Sequence, residues 1–147
     1  MTTESSLLTG AGDGENREPI VNYMPQAQQR LVLELIQRTE GRYYVDKVKE
    51  LNETIRTMPA LYGTEQQALK DKTIYLHYFY GGSDWFIAEK GTTEDPDTMF
   101  GFAILNGDTG NAEWGYVSME EINSVPGIEM DFHWTPRAAK DVPEIQT

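Results

Sequence analysis

Two runs, TIYLHYFY over Thr73–Tyr80 and WFIAEK over Trp85–Lys90, flank the turn Gly81-Gly82-Ser83-Asp84 and decide the architecture. Both runs are rich in β-branched and aromatic residues. The glycine pair between them supplies the backbone freedom of a tight reversal, so the stretch reads as a β-hairpin. The pattern continues downstream. An acidic loop, Gly91 to Thr98, leads into Met99–Asn106, the most apolar strand, and Gly107 to Gly110 turns the chain back into Ala112–Val117. Ser118-Met119-Glu120-Glu121 then has capping-box spacing, with Val117 and Ile122 placed as a hydrophobic staple. That predicts a short helix from Met119 to about Val125, stopped by Pro126-Gly127. Ile128–Trp134 alternates strictly, with Ile128, Met130, Phe132 and Trp134 on one side and Glu129, Asp131 and His133 on the other, and reads as a fifth strand.

Upstream the period changes from two to 3.6. Pro25 suits a helix start and Gln26–Arg38 is free of Gly and Pro, with Gly41 placed to end it. Ala27, Leu31 and Leu35 form a stripe that Val32 and Ile36 widen. Tyr44, Val48, Leu51, Ile55 and Met58 line one face of a second helix, from about Tyr43 to Met58, before Pro59. The fold class expected is α+β: an antiparallel sheet of about five strands (a four-strand meander, a short helix, a fifth strand) packed by two N-terminal helices. Residues 1–22 are expected as a flexible tail, 23–58 as a helical hairpin on the sheet, 59–137 as the β-rich core, and 138–147 as a loose C-terminal tail.

At 147 residues the chain has the size of one ordinary domain, and 39% apolar residues are enough for a core. The absence of cysteine excludes disulfides, thiolate zinc sites, iron–sulfur clusters and cysteine nucleophiles. No apolar run reaches the roughly 20 residues of a membrane span, and the first residues lack the pattern of a secretory signal. Charge is unevenly placed: four acids against one arginine in residues 1–22, five against six bases in 23–58, and fifteen against five in 59–147, for a total of −12. That balance argues against direct binding of nucleic acid or anionic membrane and favours a basic partner.

In chain order, Leu61-Tyr62, Ile74 to Phe79, Gly82-x-Asp84-Trp85-x-Ile87-Ala88-Glu89, Phe100-Gly101-Phe102, Leu105-Asn106-Gly107-Asp108, Asn111-Ala112-Glu113-Trp114-Gly115-Tyr116 and Asp131-x-His133-Trp134 carry a resemblance. Over about Pro59 to Arg137 the chain resembles the domain-of-unknown-function family numbered twenty-nine fifty-eight, met mostly in plasmids, conjugative elements and phages. The resemblance implies an accessory protein of a mobile element, working in the bacterial cytoplasm. The family has no established activity, so it implies no catalytic residue.

Several constellations bear on chemistry. Asp131 and His133 lie two apart on one strand face and, with His77 or with Glu89 or Glu113, offer a His/carboxylate set of the kind zinc or manganese accepts. The same residues also read as the solvated side of an edge strand. Trp85, Trp114 and Trp134 stand near Asp84, Glu113 and Asp131, which suits a sugar or cationic ligand, or else a covered core. The Asn106–Asn111 loop fails the calcium-loop spacing, Gly10-x-Gly-x-Gly14 follows no strand, Asn52-Glu53-Thr54 is a formal sequon only, and Ser83 lacks a nucleophile-elbow context.

Weighed together, these features lead to a non-catalytic acidic protein-binding module, without cofactor or metal, that engages a basic protein partner and counters host defence. Its partner-binding residues are expected to be Glu94, Asp95, Asp97, Glu129 and Asp131. The competing expectation is a small metal- or ligand-binding enzyme using the His77, Asp131 and His133 face.

Overall fold

The computed structural model describes residues 19–38 and 41–145. The chain divides into two compact units, Met1–Thr57 and Met58–Thr147. Most of the expected N-terminal tail lies outside the described residues.

Among its described residues the first unit holds three helices, α1 (Ile20–Tyr23), α2 (Gln26–Ile36) and α3 (Gly41–Thr57). Ile20, expected in the tail, is instead fully buried, and its backbone N–H donates to Asn52 Oδ1 at 2.8 Å. Gln29 donates through Nε2 to the carbonyls of Met24 (2.6 Å) and Val21 (3.0 Å), closing the C-terminal end of α1. These polar contacts reset the face of α2. Gln28, Gln29, Val32 and Ile36 are buried, while Ala27 and Leu31 of the expected stripe are exposed. On α3 the expected face holds at Val48, Leu51 and Ile55, joined by Val45 and Asn52. The formal sequon residue Asn52 is therefore interior. Gly41 opens α3 and does not close α2. A Cβ there would sit 1.9 Å from the Ile36 carbonyl oxygen, so only glycine fits the junction.

The second unit is built on the expected meander. Strands β2 (Leu76–Tyr80), β3 (Ser83–Glu89), β4 (Thr98–Ile104) and β5 (Glu113–Ser118) pair antiparallel in sequence order, and β6 (Glu129–Met130) joins β2 on its far side. The first hairpin turns through Gly81, and the β4–β5 connection through Asn106 and Gly107, all three at positive φ. The four-residue helix start after β5 is as expected: α4 (Met119–Ser124) is capped by Ser118 Oγ, which accepts the Glu121 N–H at 3.2 Å.

Three expectations are corrected. The first strand breaks at Tyr75 into β1 (Thr73–Ile74) and β2. The last strand stops at Met130, because Asp131 Oδ1 takes the His133 N–H and the Asp131 carbonyl takes the Trp134 N–H, curling the chain into a turn. Burial still alternates through Ile128, Met130, Phe132 and Trp134, but the last two are placed by that turn. The C-terminal stretch is not loose: β7 (Arg137–Ala138) pairs with β1, and Ala139, Val142 and Ile145 are buried. With Ile74 and Trp134 they cover Phe86, Ala88, Phe102 and Ile104 on one sheet face. On the opposite face Leu76, Tyr78, Ile87, Met99 and Met130 are buried, and the Tyr78 hydroxyl meets Met119 Sδ of α4.

Residues 138–145 thus supply three of the five side chains that cover this face. Ile145→Ala is expected to cost about 2–4 kcal/mol in urea unfolding, a loss a loose tail would not show.

Candidate functional site

His77 is held on both ring nitrogens and packed against its ring by neighbouring residues. It projects from β2 beside its register partner Phe86, on which the imidazole stacks with centroids 4.6 Å apart and planes 6° apart, and Trp134 leans against it at 5.1 Å. Asp84 lies two residues before Phe86, hence on the same face, and its Oδ1 is 2.7 Å from His77 Nε2. Asp131, where the chain leaves β6, places Oδ2 3.0 Å from Nδ1. Ionised carboxylates only accept, so both contacts are satisfied when both ring nitrogens donate, that is, when the ring is protonated to the imidazolium. Burial alone would lower its pKa, and the bonds to Asp131 and Asp84 outweigh that and raise it above 6.5. The His77 bond lowers Asp131 below 3.8 against the opposing effect of burial, with help from the His133 N–H.

His77 and Asp131 therefore meet, as the sequence suggests, but in an arrangement that leaves no ring nitrogen for a substrate proton or a metal. The carboxylates bracket the ring on opposite sides. His133 is exposed at the turn, with its backbone tied to Asp131. Among the described residues no three histidine or carboxylate side chains converge as a metal site.

The acids assigned to a partner also separate. Glu94 and Asp95 are exposed on their loop. Asp97 is internal to the fold: Oδ2 accepts the Ser118 hydroxyl at 2.6 Å and Oδ1 the Glu120 N–H at 2.7 Å. It adds a carboxylate cap to the Ser118 hydroxyl cap at the start of α4, where free N–H groups and the helix dipole favour negative charge. Glu129 is half-buried opposite Phe79, and Asp131 belongs to the imidazolium cage.

Sequence reasoning missed a second buried ionic group. A bulge between Ile87 and Glu89 swings Glu89 opposite Phe100, where it is 4% exposed. Its carboxylate accepts the backbone N–H groups of Tyr62 (2.9 Å) and Thr64 (3.1 Å) and the Thr64 hydroxyl. Lys72, equally buried, donates to the Thr64 carbonyl and hydroxyl at 2.6 Å each, with Nζ 3.9 Å from Glu89 Oε2. Tyr62 is held at φ +74°, a conformation tyrosine rarely adopts, by the bond from its own N–H. Only the ending of an apolar run, Ile87-Ala88, on a charged residue hinted at this in the sequence.

Two hollows border Tyr116, one of them beside Glu89 and Lys72. One, of about 170 Å³, is lined by Tyr62, Glu65, Lys72, Glu89, Phe100 and Tyr116. The other, a groove of about 270 Å³, runs along α4 over Trp85, Ala103, Leu105, Ile122 and Val125, with Glu121 and Tyr116 also lining it. Trp85 thus lines a groove, Trp114 stacks on Phe100, and buried Trp134 donates its indole N–H to the Ile74 carbonyl at 3.0 Å. Tyr116 borders both hollows, and hydrogen bonding with Tyr62 raises its phenol above 10.0.

Comparison of the chain with family models, with curated proteins and with solved structures finds no match. No helix among the described residues is long and apolar enough to cross a membrane.

Two predictions follow from the buried charges. The His77 contribution to stability is complete below pH 6.5 and is lost as pH rises through the ring's raised pKa. The Asp131 contribution is present above 3.8 and is lost as pH falls through its lowered pKa. In Asp84→Asn, NMR titration of His77 is expected to move its midpoint downward, and urea unfolding to show less loss of stability above pH 6.5. Separately, Glu89→Gln strands the Lys72 ammonium and is expected to cost about 3–5 kcal/mol. Adding Lys72→Met should recover part of this in a double-mutant cycle of chemical denaturation.

Proposed function

We propose that this chain is a non-catalytic protein-binding module that meets a basic partner through clustered carboxylates. One observation carries the reading. Asp97 fastens the Gly91–Thr98 loop to the start of α4, so that exposed Glu94 and Asp95 share one end of the β4–β5 pair with exposed Glu120 and Glu121. Acids more than twenty residues apart in sequence thus come to the same end of the sheet, where Glu121 also helps to line an apolar groove.

The surrounding charge acts in the same direction. Residues 59–147 carry fifteen acids against five bases, a field that speeds encounter with a cationic surface and repels phosphate. The engagement of both His77 nitrogens by Asp84 and Asp131 supports this reading over the competing enzyme one. The motif resemblance of the β-rich part supplies the setting: an accessory protein of a plasmid or phage, acting in the bacterial cytoplasm on a host or element-encoded protein, in a role that counters host defence.

Capture from a bacterial lysate on the immobilised chain tests this. Basic proteins are expected to be retained at low salt and released at high salt, and to be lost when Glu94, Asp95, Glu120 and Glu121 are all replaced by their amides. Retention that ignores both salt and the amide substitutions would remove the support for the reading.

A further inference from the structure

The edge of the sheet carries the reading further. Among the described residues β5 pairs only with β4, so one side of a six-residue backbone has no strand partner. Folded proteins shield such edges with lysine, proline, bulges or very short strands. The opposite edge is shielded in that way: β6 is two residues long and ends in the Asp131 turn. The β5 sequence, Glu113-Trp114-Gly115-Tyr116-Val117-Ser118, has no lysine and no proline, and its register with β4 runs unbroken from Thr98↔Ser118 to Ala103↔Glu113. Tyr116 is 64% exposed, and a Cβ on Gly115 would meet nothing within 4 Å.

The two hollows lie on opposite faces beside this edge. Phe100 and its partner Tyr116 belong to the face of the smaller hollow, and Ala103 and Val117, each an odd number of residues away, belong to the face of the groove. A strand added to β5 would direct successive side chains alternately to these two faces. The groove is apolar. The smaller hollow holds two carboxylates, Glu65 and Glu89, against the one ammonium of Lys72, with the phenols of Tyr62 and Tyr116 at its rim.

Resting on the basic-partner reading above, we infer that β5 is a strand-addition site: an extended segment of the partner pairs with its free edge, seating an apolar side chain in the groove and a lysine or arginine beside Glu65. Charge complementarity selects that occupant over a second copy of this chain, which would bring another net charge of −12 to the same edge.

An eight-residue capped peptide alternating lysine with valine is the probe, with a version N-methylated at alternate backbone amides as its control. On the full chain, NMR is expected to show slowed amide exchange within Glu113–Ser118 when the first peptide binds, at least tenfold weaker binding of the methylated peptide, and about tenfold weaker binding to Tyr116→Ala. Equal binding of the two peptides, with shifts confined to Glu94, Asp95, Glu120 and Glu121, would overturn strand addition while leaving the basic-partner reading intact. Failure of both peptides, while lysate capture still shows salt-sensitive retention, would do the same. Failure of both peptides together with failed lysate capture would sink both readings. A concentration-dependent dimer with protected β5 amides, which the peptide does not displace, would also overturn the inference.

Discussion

An imidazolium clamped between two carboxylates on an aromatic floor is the contact around which the β-rich unit closes. His77 joins β2 to β3 through Asp84 and to the end of β6 through Asp131. That second bond fixes where the chain leaves the sheet. Asp131 then bends the backbone so that Trp134 packs against the imidazole and caps the Ile74 carbonyl, and from there the chain lays Ala139, Val142 and Ile145 over the sheet. A cation in such a place is tolerated only because every proton on its ring has a charged acceptor. His77 and Asp131, which the sequence offers as part of a catalytic or metal-binding set, thus tie β2, β3 and the end of β6 together.

A division of labour among the acids follows. Glu89, Asp84, Asp131 and Asp97 are all spent internally, on a lysine, on an imidazolium or on a helix start. Each sits next to residues that made it look available in the sequence. Around the start of α4 the carboxylates facing water are Glu94, Asp95, Glu120 and Glu121, and Asp97 positions the loop that carries the first two. Net charge alone cannot distinguish these two populations, whereas hydrogen-bond partners do.

The same distinction explains which parts of the structure were legible. The meander was, because alternation with a period of two and glycine turns are local signals that tertiary structure preserved from Leu76 to Ser118. The Ser118 cap was legible for the same reason. The face of α2 was not, since Gln29 is buried to close the carbonyls of Val21 and Met24, and a pattern based on apolarity assigns a glutamine to water. Nor was the C-terminal cover, whose three buried residues are spaced by threes through tight turns next to Pro136 and Pro143. Of the candidate site, His77 with Asp131 could be paired from the sequence. Asp84 looked like a turn residue, and Lys72 meets Glu89 only because a bulge turns Glu89 toward Phe100.

Among the described residues β5 is an open six-residue edge strand; such an edge demands some protection, and β5 has neither proline nor lysine to supply it. Electrostatics can. At physiological ionic strength the screening length is about 8 Å, whereas paired strands lie about 4.8 Å apart. Carboxylates on two copies of this chain therefore ignore each other in passing and repel once their edges approach pairing distance. A cationic segment meets the opposite gradient at that same distance. On the inferred strand-addition role, the acidity that keeps like edges apart is also what selects a cationic strand. This is the physical reason to treat the charge and the uncovered edge as parts of one surface.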